Sequence, residues 1–444
     1  MTTRSRVAMK IGMVSLGCAK NRVDAELMLG VLAREGFELE SDPEKADAII
    51  VNTCGFIEAA KQESIDAILE MAEYKKKNCK ALIVTGCLSK RYAKELPPEL
   101  PEVDAFLGIG ETDKIAQVVR ACAAGAHIVE ADAGFCYLEN VDRVLTTPGY
   151  TAYVKIADGC NNRCAFCAIP YIRGNYVSRT MENIEREVRS LAEKGVREIV
   201  LVAQDTTYYG KDLYHKPMLA ELLRRVAAVE GVHWVRALYC YPELIDDELL
   251  AVMKEEPKVC SYLDIPLQHI NDKVLREMNR RGDGALIRGL YRKIRGLGGF
   301  ALRTTLIAGF PGETEEEFQE LLQFVQACPF DRLGVFAYSE EEGTPAAARQ
   351  DQVPMRVRKA REGKIMRAQQ KISRAFNESR IGSVCEVLVE GREENGLYYG
   401  RSQWEAPETD GKVYIKLAEG LQEGSFVRVR ITDAQDYDIT GVLE

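Results

Sequence analysis

Between residues 152 and 340 a short apolar run gives way to an amphipathic stretch six times over, through "AYVKIADGC", "REIVLVAQD", "HWVRALYCY", "SYLDIPLQH", "ALRTTLIAGF" and "RLGVFAYS". Runs of this length, followed by helical periodicity such as "ENIEREVRSLAEKG", read as parallel strands joined by crossover helices. Six units fall short of a complete eight-stranded barrel, so the pattern predicts an open, partial (βα)6 barrel. The same alternation fills residues 10 to 125, with "KIGMVSLGC", "ADAIIVNTC" and "KALIVTGC" as strands and "DAELMLGVLAREGF" and "KQESIDAILEMAEYKK" as helices. It predicts a doubly wound parallel sheet.

The last sixty residues change character. Runs "VCEVLVEG", "GKVYIKLA", "SFVRVRITDA" and "YDITGVLE" are separated by Gly, Asn and Asp turns, the pattern of a small five-stranded, OB-like barrel. Residues 355–380 read as one long helix with nine Lys/Arg against two Glu, expected to be a solvated connector. The chain of 444 residues suits roughly three domains. They are placed at 9–125, 146–376 and 380–444, and the fold class is α/β with a terminal β-barrel.

The chain has thirteen cysteines. Its start has no apolar signal segment, and no run approaches the roughly 18 apolar residues of a membrane span. The expectation is a cytoplasmic protein that does not engage a membrane. There disulfides are rare, so metal or redox chemistry is the better reading of the cysteines.

Two triplets carry that chemistry. In "DGCNNRCAFCAIP", Cys160, Cys164 and Cys167 have the spacing C-x3-C-x2-C. Three thiolates can hold three irons of a [4Fe–4S] cluster and leave one iron open, whereas a structural cluster takes four cysteines. A structural zinc would need a fourth Cys or His, and "AIPYIRGNY" supplies none. Cys18, Cys54 and Cys87 each follow a predicted strand, and parallel strands about 4.8 Å apart end on one edge of a sheet, so these three can converge. The other cysteines, at 79, 122, 136, 240, 260, 328 and 385, show no paired spacing and are read as structural.

The C-x3-C-x2-C motif, with Phe166 before its last cysteine, resembles the radical S-adenosylmethionine (SAM) superfamily. A three-cysteine doubly wound domain, a three-cysteine partial barrel and a small β-barrel in that order resemble the methylthiotransferases, whose last domain is called TRAM. Within that family "AQDTTYYG", "YCYPE", "DIPLQHIND" and "GRSQWEAPETDG" look like the branch that modifies an aspartate of small-subunit ribosomal protein twelve. The alternative is the branch that modifies adenosine in transfer RNA. From residue 381 onward six Lys/Arg face thirteen Asp/Glu, a net charge of 6 − 13 = −7. An acidic module suits a basic ribosomal protein better than a phosphate backbone. The basic helix leaves a contact with ribosomal RNA open; stable DNA binding is not expected.

The resemblance implies two [4Fe–4S] clusters and SAM. The central cluster would bind SAM at its open iron and generate a 5′-deoxyadenosyl radical, while the N-terminal cluster would carry the sulfur. It implies a low-potential electron donor such as flavodoxin or ferredoxin. Candidate SAM contacts are Phe166, Gln204, Asp205, Arg303, Ile307, Gly309 and Gly312, the last three in "TTLIAGFPGET", whose Gly-Pro-Gly turn would let backbone approach a ligand. Gln268 and His269 are candidates for positioning the substrate.

Overall fold

A computed structural model describes residues 8–131 and 142–444; Cys136 lies outside them. In the N-terminal domain six strands, Lys10–Ser15 (β1), Glu38–Leu39 (β2), Ala48–Thr53 (β3), Ala81–Gly86 (β4), Ala105–Leu107 (β5) and Ile128–Glu130 (β6), form one parallel sheet in the order β2-β1-β3-β4-β5-β6. Strands β3 and β4 are buried along their whole length, as expected where helices cover both faces. Side chains alternate between those faces: Ile50 and Ile83 join one core, Ile49, Val51 and Leu82 the other. Strands β2, β5 and β6 are only two or three residues long, too short to stand out as apolar runs. The chain steps outward from β1 to β2 and then crosses to β3, so the order reverses beside β1. Ligands of open parallel sheets bind outside the strand ends at such a reversal.

The central domain has six principal strands, Thr151–Lys155 (β7), Glu198–Val202 (β10), Trp234–Ala237 (β11), Tyr262–Gln268 (β12), Ala301–Ala308 (β13) and Arg332–Ala337 (β14). They form two parallel ladders, β7-β10-β11 and β12-β13-β14, linked by a bridge between Val235 and Val259. This is the expected six-unit partial barrel. Two short antiparallel strands that the sequence does not announce, Ala157–Asp158 (β8) and Val177–Ser178 (β9), bracket the cysteine loop. Helix starts follow ordinary capping chemistry: Thr180 and Asp246 cap their helices, and Thr314 forms a capping box with Glu317.

The C-terminal strands Val384–Arg392 (β15), Tyr398–Arg401 (β16), Val413–Lys416 (β17), Phe426–Ala434 (β18) and Ile439–Leu443 (β19) close into a five-stranded barrel. It docks where the central strands begin. Glu198, at the start of β10, is buried between Arg236 at 3.2 Å and Arg401 at 2.6 Å. Glu405 receives Arg332 at 3.1 Å, and Arg380 as well. Leu388 and Ala406 share a buried cluster with Tyr153, Trp234, Tyr262 and Ala301. The helix Met355–Ser379 is not the solvated connector expected: Arg358 and Arg361 are buried and paired with Glu340 and Glu313, and Arg380 just beyond it with Glu405. Among the described residues no helix is long and apolar enough to cross a membrane.

Candidate active site between the two sheets

Cys54 and Cys87 follow β3 and β4 directly, and Cys18 follows β1 after Leu16 and Gly17. Cys18 is the N-cap of the helix Ala19–Arg34, and Cys87 opens the helix Cys87–Arg91. The loops are pressed together: Gly17 has φ +90°, and a methyl group there would stand 2.8 Å from the Cys54 β-carbon. Burial pushes the Cys54 thiol up to about 11, and the neighbouring Cys87 and Cys18 add to the rise. Burial also raises Cys87. Cys18 is solvent-accessible although protein surrounds it. Burial would raise it too, but Lys20 and Arg173 bring it below its ordinary value.

The second set occupies the loop after β8, at the C-terminal end of the central sheet. Its path is fixed by backbone: Cys160 N donates to Gly174 O at 3.1 Å, Ala165 N to Met278 O at 2.9 Å, and Ala346 N to Ala165 O at 2.9 Å. Burial lifts Cys160 to about 11, with Cys164 adding, and raises Cys167 as well. Arg280, itself buried, places Nη1 3.6 Å from the Cys164 sulfur and stacks 4.1 Å over the Tyr241 ring.

One charged network joins the two sets. Arg173, on the short helix after Cys167, donates to Asp158 at 2.7 Å, Asp24 at 3.0 Å and Asn21 at 2.6 Å, and reaches the Cys87 sulfur at 3.6 Å. Lys155, at the end of β7, pairs with Asp158 at 2.8 Å and with Asp24. Sequence reasoning missed all of these. The signal available was the polar run "CAKNRVDAE", in which Asn21, Asp24 and Glu26 are buried on a helix. Polar residues on a buried face need partners.

The predicted SAM residues separate into two groups. Phe166 and Ile307 pack against one apolar cluster with Ala165, Met278 and Phe310 beside the cysteine loop. Asp205 accepts Asn162 Nδ2 from that loop at 2.8 Å. Gln204 has both amide heteroatoms buried without a partner. Arg303 lies elsewhere: it pairs with Asp264 at 2.8 Å and lies 3.8 Å from Asp410 of the C-terminal barrel. At Gly309 and Gly312, φ is +77° and +76°, but a methyl group would strike Arg358 Cγ at 2.5 Å and Asp351 at 2.5 Å. On the side where a side chain would project, neighbouring chain already fills the space at both glycines. His269 is fully buried and accepts Asn271 N at 3.0 Å on Nδ1, leaving Nε2 3.6 Å from Glu313. Nε2 makes no hydrogen bond with any described residue. Gln268 stays at the mouth, with φ +71° and Oε1 buried without a partner.

The donor sets suit iron–sulfur clusters better than a single ion. Among the described residues no group of three His, Cys, Asp or Glu is arranged to hold a single metal ion. A cubane seats each thiolate on its own iron. Residues 154–325 match the radical SAM superfamily, residues 10–108 an uncharacterised family designated UPF0004, and residues 381–443 the TRAM domain. Over 436 residues the sequence is 50% identical to ribosomal protein uS12 methylthiotransferase RimO of Caldicellulosiruptor saccharolyticus, covering 97% of this chain and 99% of the relative.

The chain belongs to the RimO-type radical SAM methylthiotransferases.

The RimO of Desulforamulus reducens is also 50% identical, over 98% of this chain and 99% of its own. Among solved structures, the radical SAM methyltransferase TsrM of Kitasatospora setae matches with TM-score 0.56 and 15% identity over 77% of this chain and 75% of that one. The cobalamin-dependent radical SAM enzyme OxsB matches with TM-score 0.51 and 11% identity over 82% and 58%. These two share the fold. Membership in the RimO-type family makes the chain an enzyme that uses an iron–sulfur cluster and SAM.

Proposed function

We propose that this enzyme methylthiolates the β-carbon of an aspartate in ribosomal protein uS12, in the cytoplasm, with one [4Fe–4S] cluster on Cys160, Cys164 and Cys167 and a second on Cys18, Cys54 and Cys87. The observation that carries this reading is Arg173, on the helix after Cys167, which joins Asp158, two residues before Cys160, to the Cys87 sulfur. The names of the half-identical relatives support the ribosomal substrate. When bound, the clusters and SAM supply hydrogen abstraction from an unactivated carbon and a methylated sulfur, chemistry no side chain provides.

The chain's own residues bind and orient. Arg280 keeps a fixed positive charge against Cys164, which favours electron-rich sulfur there. Asn162 ties the cysteine loop to Asp205, holding the loop in register with the end of β10. Phe166 and Ile307 offer an apolar wall for a flat ring, and Gln204 and Gln268 offer unpaired amide atoms to polar groups. A low-potential donor such as flavodoxin or ferredoxin is the electron source.

The test is anaerobic reconstitution with iron, sulfide, SAM and a low-potential reductant, offering unmodified small ribosomal subunits and unmodified transfer RNA in parallel. Mass spectrometry is expected to find a methylthio group on an aspartate of uS12. A methylthio group on adenosine alone would overturn the substrate while keeping the chemistry.

A further inference from the structure

Lys20 lies near Cys18, two residues away, and has no carboxylate partner among the described residues. Only 8% of it is exposed. Its Nζ leaves the N-terminal domain and reaches the ends of two central strands: it lies 3.5 Å from Ala203 O, just past β10, and 3.8 Å from the centre of the Tyr239 ring, past β11. An ammonium has three donors, and here one meets a carbonyl at the limit of hydrogen-bond distance. The buried carboxylates of this region, Asp24 and Asp158, are held by Lys155 and Arg173. No carboxylate among the described residues forms an ion pair with Lys20. Lysine is almost never buried without a partner, and an aromatic face replaces only part of its lost hydration.

The surroundings indicate which anion is missing. Gln204 follows Ala203 with both amide atoms unpaired, and Gln268 Oε1 is unpaired at the end of β12. Tyr239 and Gln268 hold φ of +63° and +71°, strain that non-glycine residues retain mainly at working sites. Of the N-terminal cysteines, Cys87 has Arg173 in contact, and Cys18 feels both Lys20 and Arg173. The Lys20 ammonium itself reaches the strand ends at Ala203 and Tyr239.

Resting on the function proposed above, we infer that Lys20 binds the side-chain carboxylate of the target aspartate and so selects aspartate over asparagine. The carboxylate carbon is bonded directly to the β-carbon. Anchoring one therefore fixes the other, and an uncharged amide would leave the ammonium buried without a carboxylate.

The experiment uses reconstituted holoenzyme and two substrates, small ribosomal subunits and free uS12, each with Asp or Asn at the target position. The wild type is expected to favour Asp about 30-fold or more in kcat/KM. In K20M the Asp reaction should fall by a similar factor, mainly through KM, so that the Asp/Asn ratio approaches one, while K20R retains most of the preference. Iron content and the EPR spectra of both clusters check that the variants are loaded. An unchanged Asp/Asn ratio in loaded K20M overturns the inference; a shifted N-terminal cluster potential alongside it would assign Lys20 to that cluster. Should K20M fail to load, binding of the Asp and Asn forms of uS12 to wild-type enzyme without reductant decides, and equal affinity overturns the inference. Failure of the wild type to modify either Asp substrate overturns the functional reading itself, before any variant is made.

Discussion

The guanidinium of Arg173 lies 3.6 Å from the sulfur of Cys87, across a sequence separation of 86 residues. It is also the hub of a buried pair of carboxylates, Asp158 and Asp24. Removing one partner from such a network leaves charge buried without compensation. R173M is therefore expected to lose about 3–5 kcal/mol of stability, seen in chemical denaturation. R173K, which keeps the charge but not the fork, should recover part of it.

Separate cluster sites make separate losses. Replacing Cys160, Cys164 and Cys167 together by Ala should remove about half of the iron of the reconstituted protein, and replacing Cys18, Cys54 and Cys87 the other half. Iron and sulfide assays on both triple variants check this. Loss of all iron from either one would mean a single shared site.

Acid should release the C-terminal barrel. Burial works to raise Glu198, yet Arg401 and Arg236 hold it at about 2; Glu405 is likewise held at about 2 against burial, by Arg380 and Arg332. Groups depressed in the folded state stabilise it fully above their ordinary value of 4.5. That contribution disappears as pH falls from there toward about 2. The chain has two tryptophans, and both report on this interface: Trp234 packs edge-on to Phe426 at 4.8 Å, and Trp404 lies against Arg380 at 5.2 Å. Tryptophan fluorescence is expected to change across that window. E198Q should shift the change to higher pH and cost about 3–5 kcal/mol at neutral pH.

At Gly309 the backbone is left-handed and Arg358 fills the space where a side chain would go. G309V is expected to destabilise the protein by about 1–3 kcal/mol, measured by thermal unfolding. The same substitution in an R358A background should cost less, since the clash is then relieved.

The docking of the C-terminal barrel also revises its charge. Thirteen acidic residues follow position 381, but Glu405 is buried with arginines, and Asp410 accepts Tyr262 OH at 2.6 Å. Net charge counted along a sequence treats these as surface. The stretch "GRSQWEAPETDG", read as a mark of the substrate branch, contributes Arg401, Glu405 and Asp410 to the lock between domains.

The sequence by itself determined the α/β class, the six central strands, the β-rich tail and the placement of six cysteines after strands. Each of these follows from local periodicity or spacing, which a linear chain displays directly. It could not show β2, β5, β6, β8 and β9, whose two or three residues carry too little pattern. Nor could it show that Arg173 meets Cys87, that Arg303 turns to Asp264, that Arg358 occupies the space beside Gly309, or that Lys20 reaches the barrel from another domain. Those are pairings of charge and shape between distant segments. They exist only once burial has stripped water from both partners, because desolvation makes an unmatched charge costly and its partner specific.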